Sequence, residues 1–230
     1  SKSDLTQSAL FALEYSLVQV WKSWGVEPEI VMGHGVGEYA AACTADVIRV
    51  EDALTLIQNE NRLTKRVFQA KSADHITNMT MNADLNEAHR QFKKVLASIK
   101  LNPPRIKGVC PLTGKPTSEN WTDPQYWIRH AQDVVQATGA VVPNFEEGIS
   151  VGIVIGPPAK LSLSTRRISQ PDRFLWCASL HPERDDLEQM LRSLGVLFIR
   201  GFKINWGGMN PDCYRKRLLL PTYPFQRPRY

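Results

Sequence analysis

The stretch "VMGHGVGEYAAAC", residues 31–43, decides how the rest of the chain is read. Ile30, Val31 and Met32 form a short apolar run, Gly33-His34-Gly35-Val36-Gly37 follows, and an alanine-rich, helix-forming segment comes next. Glycines two residues apart let a chain turn sharply between strand and helix, because glycine takes a left-handed backbone at little steric cost. This is the layout of a nucleophile elbow, G-x-S-x-G, which lifts a serine hydroxyl clear at the end of an α/β sheet. The centre of the pattern here is Gly35: the turn is present and the hydroxyl is not.

Outward from the elbow, hydrophobic spacing predicts alternating helices and strands. Residues 6–24 read as an amphipathic helix, with Leu10, Leu13, Leu17, Val20 and Trp24 on its inner face and Gly25 as its stop. Residues 30–32 are the strand entering the elbow and 36–43 the helix leaving it. A helix over 50–68 opens on Glu51-Asp52, which suits the positive end of the helix dipole. Residues 70–82 carry no clean period. A helix over 84–100 follows, with Leu85, Phe92, Val95, Leu96 and Ile99 facing inward. Strands are expected over 106–110, 151–155 and 174–178, and a last helix over 185–194 with Leu187, Met190, Leu191 and Leu194 inside and Gly195 as its stop. Strands spaced by helices of this length indicate a parallel α/β sheet. Beyond Gly201 the texture becomes extended, so the chain divides into a core at 1–202 and a tail at 203–230 whose apolar residues need cover.

Composition narrows the function classes. At 230 residues, 43% apolar and 22% charged, the chain can bury a substantial core. The net charge of +5 is scattered; Lys93-Lys94 and Arg215-Lys216-Arg217 are not interleaved with aromatics, which argues against a nucleic-acid stripe. Cys43, Cys110, Cys177 and Cys213 lie far apart with no C-x-x-C, so neither a metal site nor a disulfide framework is expected, and the reducing cytosol is the expected compartment. No leader segment is read, and no apolar run reaches the ~18 residues a membrane span needs.

Several segments, in order, resemble the acyltransferase domains of modular polyketide synthases, which are similar to malonyl-CoA:acyl-carrier-protein transacylases. They are "TQSALFALE" at 6–14, the elbow at 31–42, Leu112-Thr113-Gly114, Tyr126-Trp127-Ile128-Arg129-His130, Ile155-Gly156-Pro157 and the closing "LPTYPFQRPRY". The resemblance implies a three-layer α/β-hydrolase-like core with a parallel sheet. It also implies a serine that takes an acyl group from coenzyme A and passes it to a carrier-protein thiol, a histidine base, an arginine for the malonyl carboxylate, and backbone amides for the oxyanion. No resident cofactor is implied; the coenzyme A thioester and the phosphopantetheine arm of the carrier protein are visiting ligands. The closing segment is similar to the linker that packs back toward the ketosynthase, which makes Leu220, Tyr223 and Phe225 its expected docking residues. The implied partners are the ketosynthase and linker domain of the same synthase, with an acyl carrier protein or a separate, trans-acting acyltransferase as further candidates; neither nucleic acid nor membrane is among them.

Carried over position by position, the resemblance empties the site. The serine falls on Gly35, the histidine of the family's V-S-H-A-F-H-S segment on Met81, and the arginine of E-R-G-R-L-M on Glu60, a charge reversal. The S-N-L-T-G segment reads Cys110-Pro111-Leu112-Thr113-Gly114, and the acidic residue of E-I-G-P is Val154. The family's ferredoxin-like subdomain is expected to be deleted, since the short stretch between Arg66 and Ile76 cannot hold even one βαβ unit of roughly thirty residues. His34, His75, His89, His130, His181 and Cys43 form no nucleophile–base pair at readable spacing: His34 is expected to pack, His89 to lie on a helix surface, His130 and His181 to be structural, and Cys43 to be buried. The expected function is a catalytically silent acyltransferase remnant serving as scaffold or docking element. The alternatives are an acyltransferase that loads malonyl-type units once completed by other segments, and a module that binds pantetheine or acyl groups without reacting.

Overall fold

The computed structural model describes residues 2–71, 78–109, 120–133, 151–157 and 175–209. The long first helix, α1 (Lys2–Ser23), serves two cores. Phe11 and the partly buried Tyr15 reach into a larger core built with α2 (Val36–Thr44), α3 (Val50–Lys71), α4 (Asn78–Ser98) and α5 (Pro124–Asp133). Leu17, Trp21 and Trp24 reach into a second core with Cys177, Met190, Leu194 and Leu197. The buried Trp21 indole donates to Ser179 Oγ at 2.9 Å, so its one polar atom is satisfied. Gly25 ends the helix at φ 83°, its N–H donating to the Lys22 carbonyl.

Two parallel strand pairs are formed. β1 (Ile30–Met32) lies beside β2 (Lys107–Val109) in the register Ile30–Lys107, Val31–Gly108, Met32–Val109. β3 (Val151–Val154) lies beside β4 (Leu175–Ala178), pairing Val151 with Leu175 and Val154 with Ala178. The four expected strands are all present, divided into two pairs among the described residues. A 3-10 turn at Asn120–Thr122 carries the buried Trp121, whose ring covers Gly108 so closely that a β-carbon there would lie 2.4 Å from it. The loop after α2 is tied to the chain entering β2 by Asn102 N–H to the Val47 carbonyl and Arg105 N–H to the Ala45 carbonyl, both 2.9 Å.

α3 and α4 pack along one another, with residues 72–77 between them, so the chain passes from one to the other with no room for a ferredoxin-like insert. α6 (Asp186–Ile199) begins at Asp185, whose carboxylate accepts from the N–H groups of Leu187 (3.0 Å) and Glu188 (3.1 Å).

The last helix corrects the sequence in two ways. It runs through Gly195 and ends at Gly201 (φ 88°), because one interior glycine costs only about 1 kcal/mol and continuation buries Leu197. Its inner face is also rotated. Gln189 and Ser193 turn inward to donate to the Ala178 carbonyl at the end of β4 (3.1 and 2.7 Å), leaving Leu187 and Leu191 exposed. On α1, Leu13 likewise lies outside, since Phe11 and Trp21 occupy the inward arc. The expected docking residues Leu220, Tyr223 and Phe225, the 112–114 turn and His75 lie outside the described residues.

Candidate functional site

The elbow is built as its glycines require. A β-carbon on Gly33 would fall 2.0 Å from the Gly37 carbonyl oxygen, so the two ends of Gly33-His34-Gly35-Val36-Gly37 touch backbone to backbone. Gly35 sits at φ 57°, ψ −124°, a conformation L-residues adopt only under strain. Among the described residues nothing lies within 4 Å of where its β-carbon would be. The turn closes through Gly37 N–H to the His34 carbonyl (3.1 Å) and Glu38 N–H to the Gly35 carbonyl (3.0 Å). His34 is exposed.

Immediately behind the turn lies a buried polar cluster. Glu38 and Tyr39 come from α2, Glu60 from α3 and His130 from α5, and all four are nearly inaccessible to water. His130 Nε2 stands 3.3 Å from a Glu38 oxygen and its Nδ1 3.7 Å from a Glu60 oxygen. These are charge contacts more than aligned hydrogen bonds. Glu38 also accepts from the Trp121 indole at 3.1 Å and from the Tyr126 hydroxyl, and Glu60 accepts from the Tyr39 hydroxyl. The His130 ring lies edge-on to those of Tyr39 (5.3 Å) and Trp127 (5.7 Å).

Burial and charge act on each group differently. Burial pulls the His130 pKa down, but the adjacent Glu38, the charge of Glu60 and the Gly35 backbone outweigh it, and the net direction is up. Burial raises Glu38, yet His130, Tyr126 and Trp121 together hold it below the ordinary carboxylate value. Glu60 goes up: burial dominates, Glu38 adds to it, and His130 and Tyr39 only partly offset it. Burial and the neighbouring Glu60 push Tyr39 well above the usual phenol value. The cluster therefore favours an ionised Glu38 and a charged imidazole, with Glu60 ionising at higher pH than an ordinary carboxylate.

The residues singled out from sequence are thus partly gathered. Glu60 lies beside His130 and is sealed within the core, and Gly35 adjoins the same cluster through the Glu38 N–H that donates to its carbonyl. Met81 lies on α4, and its side chain is outside the described residues. Cys43 is buried, and burial, with the acidic Glu51 and Asp52 beside it, pushes its thiol up to about 12, so it is not a nucleophile at neutral pH. His89 is half-buried rather than on the surface, and His181 accepts from the Glu183 N–H in a turn. Among the described residues no three ligating side chains gather as a metal site. Nor is any helix there long and apolar enough to cross a membrane. The charge cluster was not found from sequence. Its one signal was an acid, Glu38, set at the head of the apolar Tyr39-Ala40-Ala41-Ala42-Cys43 run.

Comparison with known proteins agrees with the fold. Residues 1–106 match the family profile described as acyl transferase domain. A PKS-NRPS hybrid synthetase, acdB of Aspergillus candidus, is 27% identical, the match covering 99% of this chain and 12% of that protein. That alignment extends over 290 positions against 230 residues here, so at least 60 positions of the relative have no counterpart in this chain. The solved acyl transferase domain of ZmaA superimposes with a TM-score of 0.71 at 20% identity, covering 95% of this chain and 64% of that one. The acyltransferase domain from the second module of the salinomycin polyketide synthase gives 0.69 at 20%, covering 95% and 65%.

Proposed function

We propose, from the similarity to acyl transferase domains of modular polyketide synthases, that the chain is a catalytically silent member of a synthase, kept as a scaffold or docking element. The observation that carries this is the elbow itself: its strained backbone persists around a glycine, with none of the described residues filling its β-carbon position. Acyl transfer through a covalent intermediate needs a nucleophile, a base within hydrogen-bond reach and a cation for the malonyl carboxylate. Gly35 offers no hydroxyl. Glu60, which the resemblance sets at the cation's position, accepts from Tyr39 and lies beside His130.

The docking role rests on the tail, where Leu220, Tyr223 and Phe225 resemble a segment that packs toward a ketosynthase. Ketosynthase, linker domain, carrier protein and a separate acyltransferase are the partners proposed, and the coenzyme A thioester would be a ligand of those partners.

Incubation with malonyl-CoA, followed by intact-mass measurement, tests the proposal. No acyl adduct is expected; a stoichiometric adduct would instead establish an acyltransferase that loads malonyl-type units. Calorimetry with coenzyme A and holo-carrier protein separates a pantetheine-binding module, which would give heat without an adduct.

A further inference from the structure

We propose that Glu38, His130 and Glu60 form a pH-responsive strut that holds the elbow in place, whatever the catalytic state of the site. His130 joins three helices at once: Glu38 on α2 lies 3.3 Å from one ring nitrogen, Glu60 on α3 lies 3.7 Å from the other, and His130 itself sits on α5. Glu38 in turn donates its backbone N–H to the Gly35 carbonyl, at the apex of the turn (3.0 Å). A proton placed on this ring is therefore felt both by the helix packing and by the elbow.

The charge balance makes the proton matter. Two carboxylates enclosed in a core repel one another and lose their hydration, a cost that a cation between them offsets. With the imidazole charged, Glu38 is paired and Glu60 faces a cation. With it neutral, both carboxylates are left against aromatic rings and one another. Tyr39, the other titratable group on α2 facing His130, donates to Glu60 and stays protonated throughout. Tyr126 on α5 and Trp121 on the 3-10 turn donate to Glu38. α4, which also packs on α5, exposes Glu87, Arg90, Lys93 and Lys94 and half-buries His89. Among the described residues the compensating cation is thus His130 itself. Histidine is the side chain whose charge changes near neutrality, so the strut loosens within an accessible pH range.

Nuclear magnetic resonance on the 230-residue chain tests this directly. The His130 ring should titrate above the ordinary histidine value of 6.5, and the amides of Gly33, Gly35 and Gly37 should shift with the same midpoint. Glu60→Gln should move that midpoint downward while the elbow amides continue to follow it. A ring that titrates at or below the ordinary value, or elbow amides that stay still while it titrates, overturns the proposal. An unchanged midpoint in the Glu60→Gln protein removes Glu60 from it. Should that variant not fold, the unmodified chain decides alone.

Discussion

At Gly35, space and backbone strain pull in opposite directions. A β-carbon there meets none of the described residues within 4 Å, but φ 57° and ψ −124° suit glycine and penalise any other residue. Gly35→Ser is therefore expected to fold, with stability lowered by about 1–3 kcal/mol in a denaturant titration. On the proposed reading, with Met81 at the base's position and Glu60 at the cation's, it is also expected to form no acyl-enzyme with malonyl-CoA by intact mass. Substantial turnover from that one change would show that a base had been misplaced. Cys43 offers a second residue-scale test. Buried, with its thiol held near 12, it should resist iodoacetamide at neutral pH and become alkylated only on unfolding, as read by peptide mapping.

Two elements are fixed by close packing and capping. On β2, Gly108 lies under the Trp121 ring, with ring atoms 2.4 to 2.9 Å from where a β-carbon would stand. Gly108→Ala must displace that indole and its hydrogen bond to Glu38, and a loss of about 1–3 kcal/mol is expected in thermal unfolding. On α6, Asp185 caps two free N–H groups. Asp185→Ala should cost about 1 kcal/mol in urea. An unchanged midpoint would mean that solvent already satisfies those donors.

Across the whole molecule the buried cluster predicts how stability depends on pH. His130 is raised in the folded state, so its contribution is complete below about 6.5 and lost as pH climbs through the folded value. Glu60 is also raised, so its ionisation withdraws stability as pH rises above its ordinary 4.5. Glu38 is lowered, so its contribution holds above 4.5 and falls away as pH drops through its folded value. Melting temperatures measured between about pH 4 and about pH 9 should peak on the acid side of neutrality. A profile flat from 6.5 upward would exclude a charged imidazole in this core.

Local pattern was enough to place the strand at Ile30–Met32, the elbow, the helix that leaves it and the remaining strands. These follow from apolar periodicity and from glycine's backbone freedom, and both are written in neighbouring residues. The chain's similarity to acyl transferase domains was legible for the same reason, since its motifs are short and ordered. The face of α6, the end of that helix at Gly201 and the meeting of Glu38, Glu60 and His130 were decided only by tertiary structure. Ser193 and Gln189 turn inward because a carbonyl at the end of β4 must be satisfied, and Glu60 is buried because a histidine seventy residues away stands beside it. Such partners are distant in sequence, and a buried charge acquires its meaning only from what it faces.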